Sequence, residues 1–370
     1  MAGLVGLVVN PVAGMGGRVG LHGTDGPELL AEARRRGAAP VTASRAARAL
    51  RRLAAHRGVR LLAAPASMGA DVVAAVGGEA ELLDLALGDV TSGVDTTGAA
   101  AMLAAAGVDL VLFAGGDGTA ADVVRGTGTS VPILGVPSGV KMRSGVFAAG
   151  ADLAGDLAGE FLAREVRAVA PAEIVDVSDA ASPLGALVAM AVVPDLGDGR
   201  LLGAKSSAAA GSAAELDALC AAVAGELVPG RLYLFGPGGT TGKILEHLGL
   251  AATPLGVDAA RDGRLLQADA SERELLALVA ASPDAALVLG VIGGQGVLLG
   301  RGNQQLSAAV LARLSPGALM IVASARKLAA LGAPVVWADL GGEDVPWLGG
   351  YHRVRVAPAR YQIVRVVLTR

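Results

Sequence analysis

A glycine-rich loop with a single carboxylate is the segment of this sequence best suited to chemistry. It reads Gly115-Gly116-Asp117-Gly118-Thr119, and it lies between an apolar run and a helix-forming run. Glycines let backbone N–H groups approach phosphate oxygens, and the positive N-terminus of a following helix attracts anions. An aspartate in this position can orient a substrate hydroxyl or contact a phosphate-bound Mg²⁺, as phosphoryl transfer requires. The alternative interpretation is a tight turn capped by Asp117.

Three more glycine-rich loops follow predicted strands, at residues 10–17, 236–243 and 293–305. Their glycine spacing does not match the dinucleotide-binding fingerprint. The second loop is not a P-loop either, because Pro237 and Ile244 stand where glycine and serine or threonine are needed. These two common nucleotide-binding motifs are therefore excluded, while phosphate binding by the loop backbones stays open.

Several polar side chains in these loops are candidates for phosphate binding, each with a plainer alternative. Lys141 follows Ser138 and Gly139 and is one of only four lysines, so we favour a phosphate contact over a surface lysine. Thr240 and Thr241 are equally suited to binding phosphate and to capping the start of a helix.

A second set of candidates is suited to an acceptor molecule. The string from Arg301 through Asn303 to Gln304 favours recognition of a base or ribose over helix capping by Asn303. Asp25 and Asp122 could contact a hydroxyl or a metal ion, although a cap or a surface charge is the commoner role of such residues.

Composition limits the function classes. The near-neutral net charge of −3 and an aromatic content of 2% argue against a nucleic-acid-binding protein. One cysteine, Cys220, excludes internal disulfides and fits a reducing compartment. The histidines lack metal-ligand spacing, so we expect no protein-built metal site. The sequence shows no targeting segment and no apolar run long enough to cross a bilayer, which predicts a cytoplasmic protein without membrane contact.

The elements that must position these loops alternate between strand and helix. A length of 370 residues predicts two domains, which we place at residues 1–145 and 146–370. The first should hold a parallel sheet with helices on both faces, and GGDGT should lie at the carboxyl end of a strand, where such sheets bind ligands. Predicted strands cover residues 4–9, 59–63, 108–113, 131–136, 172–177, 187–193, 232–235, 286–292, 319–323, 352–356 and 361–368. Predicted helices cover residues 27–36, 44–56, 95–106, 117–124 and 144–164.

Three segments together resemble a known family. They are the stretch from Asn10 to Asp25 (NPVAGMGGRVGLHGTD), PSGVKMRS from Pro137 to Ser144, and IGGQG with GRGNQQ between Ile292 and Gln305. With GGDGT, which diacylglycerol and sphingosine kinases share, they are similar to the bacterial and archaeal branch of the ATP-NAD kinase family. The resemblance extends over nearly the whole chain.

The resemblance implies an NAD-kinase-like α/β fold: an N-terminal domain with a parallel sheet, a second mixed α/β or β-rich domain, and a cleft between them. It implies phosphorylation of the 2′-hydroxyl of the adenosine ribose of NAD by ATP or polyphosphate. Because the sequence shows no cluster of metal ligands, we expect Mg²⁺ to arrive with the nucleotide. Asp117 would be the catalytic aspartate. Asn10, Gly115, Gly116, Gly118 and Thr119 would match the family's phosphate-binding residues. The loops themselves add the phosphate- or nucleotide-binding candidates Gly14, Gly16, Gly17, Ser138, Gly139, Lys141, Thr240 and Thr241. The acceptor-binding candidates come from the polar side chains of the loops and not from the resemblance, and they are Asp25, Asp122, Gly294, Gln295, Arg301, Asn303 and Gln304.

The sequence also departs from the family pattern. The Asn-Glu pair with which many NAD kinases grip the nucleotide is missing, and the second half contains strand–loop–helix units. Other interpretations therefore stay open: a kinase of a lipid, sugar or nucleoside that uses the same site, or a nucleotide sensor without turnover. We expect small-molecule nucleotides as partners, and a homo-oligomer.

Overall fold

The structure is a computed structural model that describes residues 3–21, 23, 26–88, 90–140, 142–176, 186–197, 200–203 and 213–369. Its strands are β1 Gly3–Val9, β2 Val59–Ala63, β3 Glu81–Leu82, β4 Leu110–Gly115, β5 Ile133–Pro137, β6 Val169–Asp176, β7 Ala186–Pro194, β8 Tyr233–Phe235, β9 Asp258–Arg261, β10 Arg264–Gln267, β11 Ala286–Gly290, β12 Val297–Leu299, β13 Leu319–Val322, β14 Val335–Asp339, β15 Gly350–Ala357 and β16 Arg360–Thr369. Its helices are α1 Pro27–Arg35, α2 Thr42–Leu53, α3 Ala70–Ala75, α4 Gly93–Ala105, α5 Asp117–Thr127, α6 Ala151–Ala163, α7 Ala213–Gly225, α8 Gly239–His247, α9 Glu272–Ala280, α10 Ala308–Leu311 and α11 Ala325–Ala329.

The chain divides into two compact units. Unit 1 consists of Met1–Met15, Ala39–Lys205 and Thr369–Arg370, and unit 2 of Gly16–Ala38 and Ser206–Leu368. The division predicted after residue 145 differs from this one, because α6 and the β6–β7 hairpin pack against the sheet of unit 1. The segment Gly16–Ala38 is the second difference, because it belongs to unit 2 although it precedes most of unit 1 in the sequence.

Among the described residues, the main sheet of unit 1 has five parallel strands in the order β3-β2-β1-β4-β5. Alternate residues of each strand face opposite layers, as the period of a strand requires. One layer contains α2, α3 and α6, and the other contains α4, α5 and the β6–β7 hairpin. Glycines let the helices of a layer approach closely: a Cβ at Gly126 of α5 would lie 2.4 Å from the Thr97 carbonyl oxygen of α4.

Among the described residues, the sheet of unit 2 has nine strands in the order β10-β9-β8-β11-β13-β15-β16-β14-β12. Its centre is parallel, from β8 through β11 and β13 to β15. Strand β9 runs antiparallel to β8 and β10, and β16 runs antiparallel to β15. Helices α7 and α8 cover one face, while α9 and α10 cover the other. The predicted fold class, a parallel α/β sheet followed by a mixed α/β unit, is confirmed.

Some predicted helix bounds were wrong. The helix predicted over residues 144–164 begins only at Ala151, because Ser144 is bound to neighbouring elements and Phe147 bridges to Gly135 of β5. The helix predicted to start at Ser44 starts at Thr42. None of the helices in the described ranges is long and apolar enough to cross a membrane.

Candidate active site

The switch point of the sheet in unit 1 brings three predicted loops together. From β1 the chain continues to β2 on one side, whereas β4 continues to β5 on the other, so the loops after β1 and β4 diverge. Open α/β sheets bind ligands in the crevice that forms at such a point. Asn10 follows β1, Gly116 follows β4 and Ser138 follows β5. The carboxyl edge of unit 1 therefore collects the polar residues of all three loops.

Asp117 is the first residue of α5, and its carboxylate is bound by a neighbouring turn. Its Oδ2 accepts a hydrogen bond from the backbone N–H of Arg143 (2.7 Å). Its Oδ1 accepts two from Ser144, from the backbone N–H (3.0 Å) and from the hydroxyl (2.7 Å). The side chain is buried, with 7% of the residue exposed. These donors fix the position and orientation of the carboxylate at the start of the helix.

Asn10 connects the end of β1 to the first turn of α5. Its amide nitrogen donates to the hydroxyl oxygen of Thr119 (3.0 Å), and its amide oxygen accepts from the backbone N–H of Val12 (3.2 Å). A Cβ at Gly115 would lie 2.3 Å from the same Thr119 hydroxyl oxygen. Packing within the motif therefore requires glycine at position 115. The hydrogen bond between Asn10 and Thr119 joins the first loop to the same motif.

The first loop and the loop after β5 also touch. Gly14 has a φ of +74°, and a Cβ there would lie 1.8 Å from the carbonyl oxygen of Ser138. The N–H groups of Ser138 and Gly139 both donate to the carbonyl oxygen of Gly115, each at 3.0 Å. Backbone contacts thus join Gly14, Ser138 and Gly139 to the GGDGT turn.

Arg143 and Ser144 are parts of this site that the sequence analysis did not select. Arg143 is only 5% exposed; burial lowers its pKa, and the negative charge of Asp117 opposes that shift. A guanidinium remains charged after such a shift. Arg143 therefore adds a buried cation near Asp117. The one signal in the sequence is that both residues belong to the PSGVKMRS segment.

The GRGNQQ segment forms a compact loop in unit 2, together with part of the first loop. Asn303 is buried, its amide oxygen accepts from the Gly300 N–H (2.8 Å), and its amide nitrogen donates to the Leu298 carbonyl oxygen (2.9 Å). Gln304 donates to the Gly300 carbonyl oxygen (3.3 Å), and its side chain packs on Gly17. Asn303 thus holds the loop together, and Gln304 lies beside the first loop.

Arg301 lies in the same loop, and the GGQG turn lies at the other end of β12. Arg301 and Gln295 are both buried, at 5% and 3% exposed. Gly294 has a φ of +78°, and a bridge between Ile292 and Val297 closes the turn. Gly294 and Gln295 are therefore separated from Arg301 and Gln304 by the length of β12.

Three further predicted residues lie on helices α5 and α8. Thr240 and Thr241 are buried in the first turn of α8, where the cap residue is Gly238; the Thr241 hydroxyl donates to the Gly238 carbonyl oxygen (2.9 Å). Asp122 lies against Gly93 at the start of α4 and pairs with Arg125, roughly 140° around α5 from Asp117.

Two predicted residues, Asp25 and Lys141, fall outside the described residues.

The first loop is divided between the units, with Asn10 and Gly14 in unit 1 and Gly16 and Gly17 in unit 2. In the described part of the chain, His, Cys, Asp and Glu side chains do not gather in groups of three or more that could hold a metal ion.

Two family models match the chain. The ATP-NAD kinase N-terminal domain matches residues 5–166, and the ATP-NAD kinase C-terminal domain matches residues 229–366. No curated protein and no solved structure matches it. The two matches together cover most of the 370 residues, and the resemblance seen in the sequence is confirmed. The chain therefore belongs to the ATP-NAD kinase family and is a phosphotransferase of the kinase type.

Proposed function

We propose that the chain transfers the γ-phosphoryl group of ATP to the 2′-hydroxyl of the adenosine ribose of NAD. One observation carries the proposal: Asp117 lies at the switch point of the sheet, bound by Ser144 and in the same turn as Thr119, to which Asn10 donates, in a chain whose two halves match ATP-NAD kinase domains. This is the position in which an open α/β sheet presents a reactive group to its ligand.

In this proposal Asp117 orients the acceptor hydroxyl and takes its proton. The bond between the ribose oxygen and the γ-phosphorus forms as the bond from that phosphorus to the bridging oxygen breaks, which releases ADP. The transition state of phosphoryl transfer is loose, so orientation matters more than base strength. A carboxylate fixed by three hydrogen bonds is suited to this task, because little reorganisation is needed when the substrate binds.

The phosphates of the donor would be bound by backbone and by a buried cation. The N-terminus of α5 and the loop at Gly14 offer the positive end of a helix dipole and close backbone approach. Arg143 supports the proposal as a buried positive charge near Asp117. Mg²⁺ would arrive on the donor and keep several waters, since the described residues contain no cluster of ligands for it.

The acceptor would be read by Arg301 and Gln304, with Asn303 as a positioning residue. Both the oxygen and the nitrogen of the Asn303 side-chain amide form hydrogen bonds with the backbone of its own loop. Its substitution should therefore act by changing the loop conformation and not by removing a ligand contact. A guanidinium and an amide on one short loop suit the edges of a base or the hydroxyls of a ribose.

A kinase assay with purified full-length protein tests the proposal. NAD, nucleosides, sugars, sphingosine and diacylglycerol serve as acceptors, and ATP or polyphosphate as donor, with and without excess EDTA. We expect ATP- and Mg²⁺-dependent formation of NADP, detected with an NADP-specific dehydrogenase, which reports the 2′ position. If only a lipid or a sugar is phosphorylated, the proposed acceptor is wrong, whereas the assignment of the kinase site to Asp117 stands. Tight NAD and ATP binding without any turnover would indicate a sensor and refute the proposal.

A further inference from the structure

Unit 2 contains a cavity of about 500 Å³ that shares no residue with the site proposed above. Its walls come from α7, from the start of α11 and from the turn between β15 and β16. Strands β13 and β15 are parallel neighbours, and both end at this cavity. The cavity therefore lies at the carboxyl edge of the parallel part of the sheet, where α/β sheets bind ligands.

Two arginines line this cavity, Arg326 from α11 and Arg360 from the β15–β16 turn. Within the described part of the chain, neither guanidinium makes an ion pair or a hydrogen bond. The other charged lining residue is Glu215, so the charged groups around the cavity sum to a net positive charge. A guanidinium presents a planar fork of donors that fits the oxygens of a phosphate or a carboxylate. Two of them on one cavity are suited to an oxyanion.

The rest of the lining is mainly apolar. Leu219 and Val356 are buried, at 1% and 6% exposed, and alanines of α7, α11 and the turn complete the wall. A volume of this size falls within the range of roughly 300–1,000 Å³ typical of small-molecule sites. The cavity thus combines a charged part with an apolar part, as sites for amphiphilic small molecules do.

A buried arginine fixes the turn that forms one wall. Arg355 is 3% exposed, binds the carbonyl oxygen of Pro358, and donates to Glu226 (2.7 Å). Its guanidinium carbon also lies 5.8 Å from the centre of the Tyr361 ring. Because these contacts hold the turn in place, a ligand would not have to order it, which removes a cost of binding.

We propose that this cavity binds a small molecule with a phosphate or carboxylate group on an apolar body. Arg326 and Arg360 bind the oxyanion, and the apolar body packs on the alanines of the wall, Ala218, Ala325 and Ala359. The site is independent of the kinase reaction proposed above, and its ligand is neither the phosphate donor nor the acceptor.

Isothermal titration calorimetry with the full-length protein tests the proposal. The probes are phenyl phosphate and benzoate, which share the apolar body and differ in the oxyanion, and benzyl alcohol, which has no charge. We expect saturable binding of at least one anion, at least tenfold tighter than any binding of benzyl alcohol. Whichever anion binds better identifies the ligand class. Equal binding of all three probes, or no binding of either anion, overturns the proposal.

Variants locate the binding. Arg326→Ala with Arg360→Ala should weaken anion binding at least tenfold, whereas Arg264→Ala, an exposed arginine of β10, should not. Ala218→Phe should fill the cavity and block the probe while both arginines remain, which gives a second test should the double variant fold poorly. Unchanged binding in the double variant, or in Ala218→Phe, refutes the assignment. Binding abolished by Asp117→Asn would show that the probe occupies the kinase site, and would also refute it.

Discussion

The substitution Asp117→Asn separates the structural role of this carboxylate from its proposed catalytic role. An asparagine offers one oxygen where the carboxylate offers two, so its NH₂ group would face either the Arg143 N–H or the two donors of Ser144. One or more buried donors would lose their acceptor, which costs about 1–3 kcal/mol, and the remaining bond would lose its charge assistance. We therefore expect the free energy of unfolding to fall by about 2–4 kcal/mol.

Urea unfolding measures this loss, and Asp122→Asn is the matched control. Asp122 lies on the same helix and pairs with the exposed Arg125, and loss of this ion pair should cost less than about 1 kcal/mol. The two tryptophans, Trp337 and Trp347, both belong to unit 2, so circular dichroism must be recorded to follow unit 1. Equal midpoints for Asp117→Asn and the wild type would refute the hydrogen-bond argument.

The same variant tests catalysis under conditions in which it is folded. The assay is run in urea-free buffer at a temperature well below the thermal unfolding transition. We expect the rate to fall on the order of 10²-fold or more, as is typical when general acid–base catalysis is removed. Asp122→Asn should keep wild-type turnover. Wild-type-like turnover in a destabilised Asp117→Asn would leave Asp117 with a purely structural role.

Three further predictions concern the loops and the buried thiol. Gly14→Ala should lower stability and donor affinity because its Cβ would meet the Ser138 carbonyl oxygen, whereas Gly77→Ala, also at positive φ but in open space, should cost only about 1–2 kcal/mol; urea unfolding and donor KM measure both. Asn303→Ala should cost about 2 kcal/mol in the same unfolding assay and raise the acceptor KM more than it lowers kcat. Burial raises the pKa of the Cys220 thiol from 9.0 to about 11, so unfolding assays should show stability lost as the pH rises from 9 towards 11, and Cys220→Ala should lack that loss.

Local patterns in the sequence predicted the strand–turn–helix around GGDGT because every signal for it is short-range. The apolar run of β4, the glycines and the helix formers of α5 all lie within a few residues of Asp117. The position of GGDGT at the carboxyl end of a parallel strand then followed from the alternation of strands and helices. These predictions needed no knowledge of contacts between distant residues.

Other features depend on distant contacts and could not be predicted. Residues 144–150 have the apolar, small-residue composition of the helix that follows, but Ser144 is bound by Asp117 and Val175, which are far away in sequence. The burial of Arg143 has the same origin. Asp122 was grouped with the acceptor residues because it follows the motif closely, yet the turn of α5 directs it towards α4.

The division of the first loop has a consequence for synthesis on the ribosome. The segment Gly16–Ala38 leaves the ribosome early, but its partners in unit 2, such as Gln304 and Glu343, are made near the end of translation. Until then the contacts of this segment with Gln304 and Glu343 cannot form. A fragment that ends at residue 205 would contain Gly16–Ala38 without its partners in unit 2. Separate expression of unit 2 would therefore need residues 16–38 joined to residues 206–368 by a new linker.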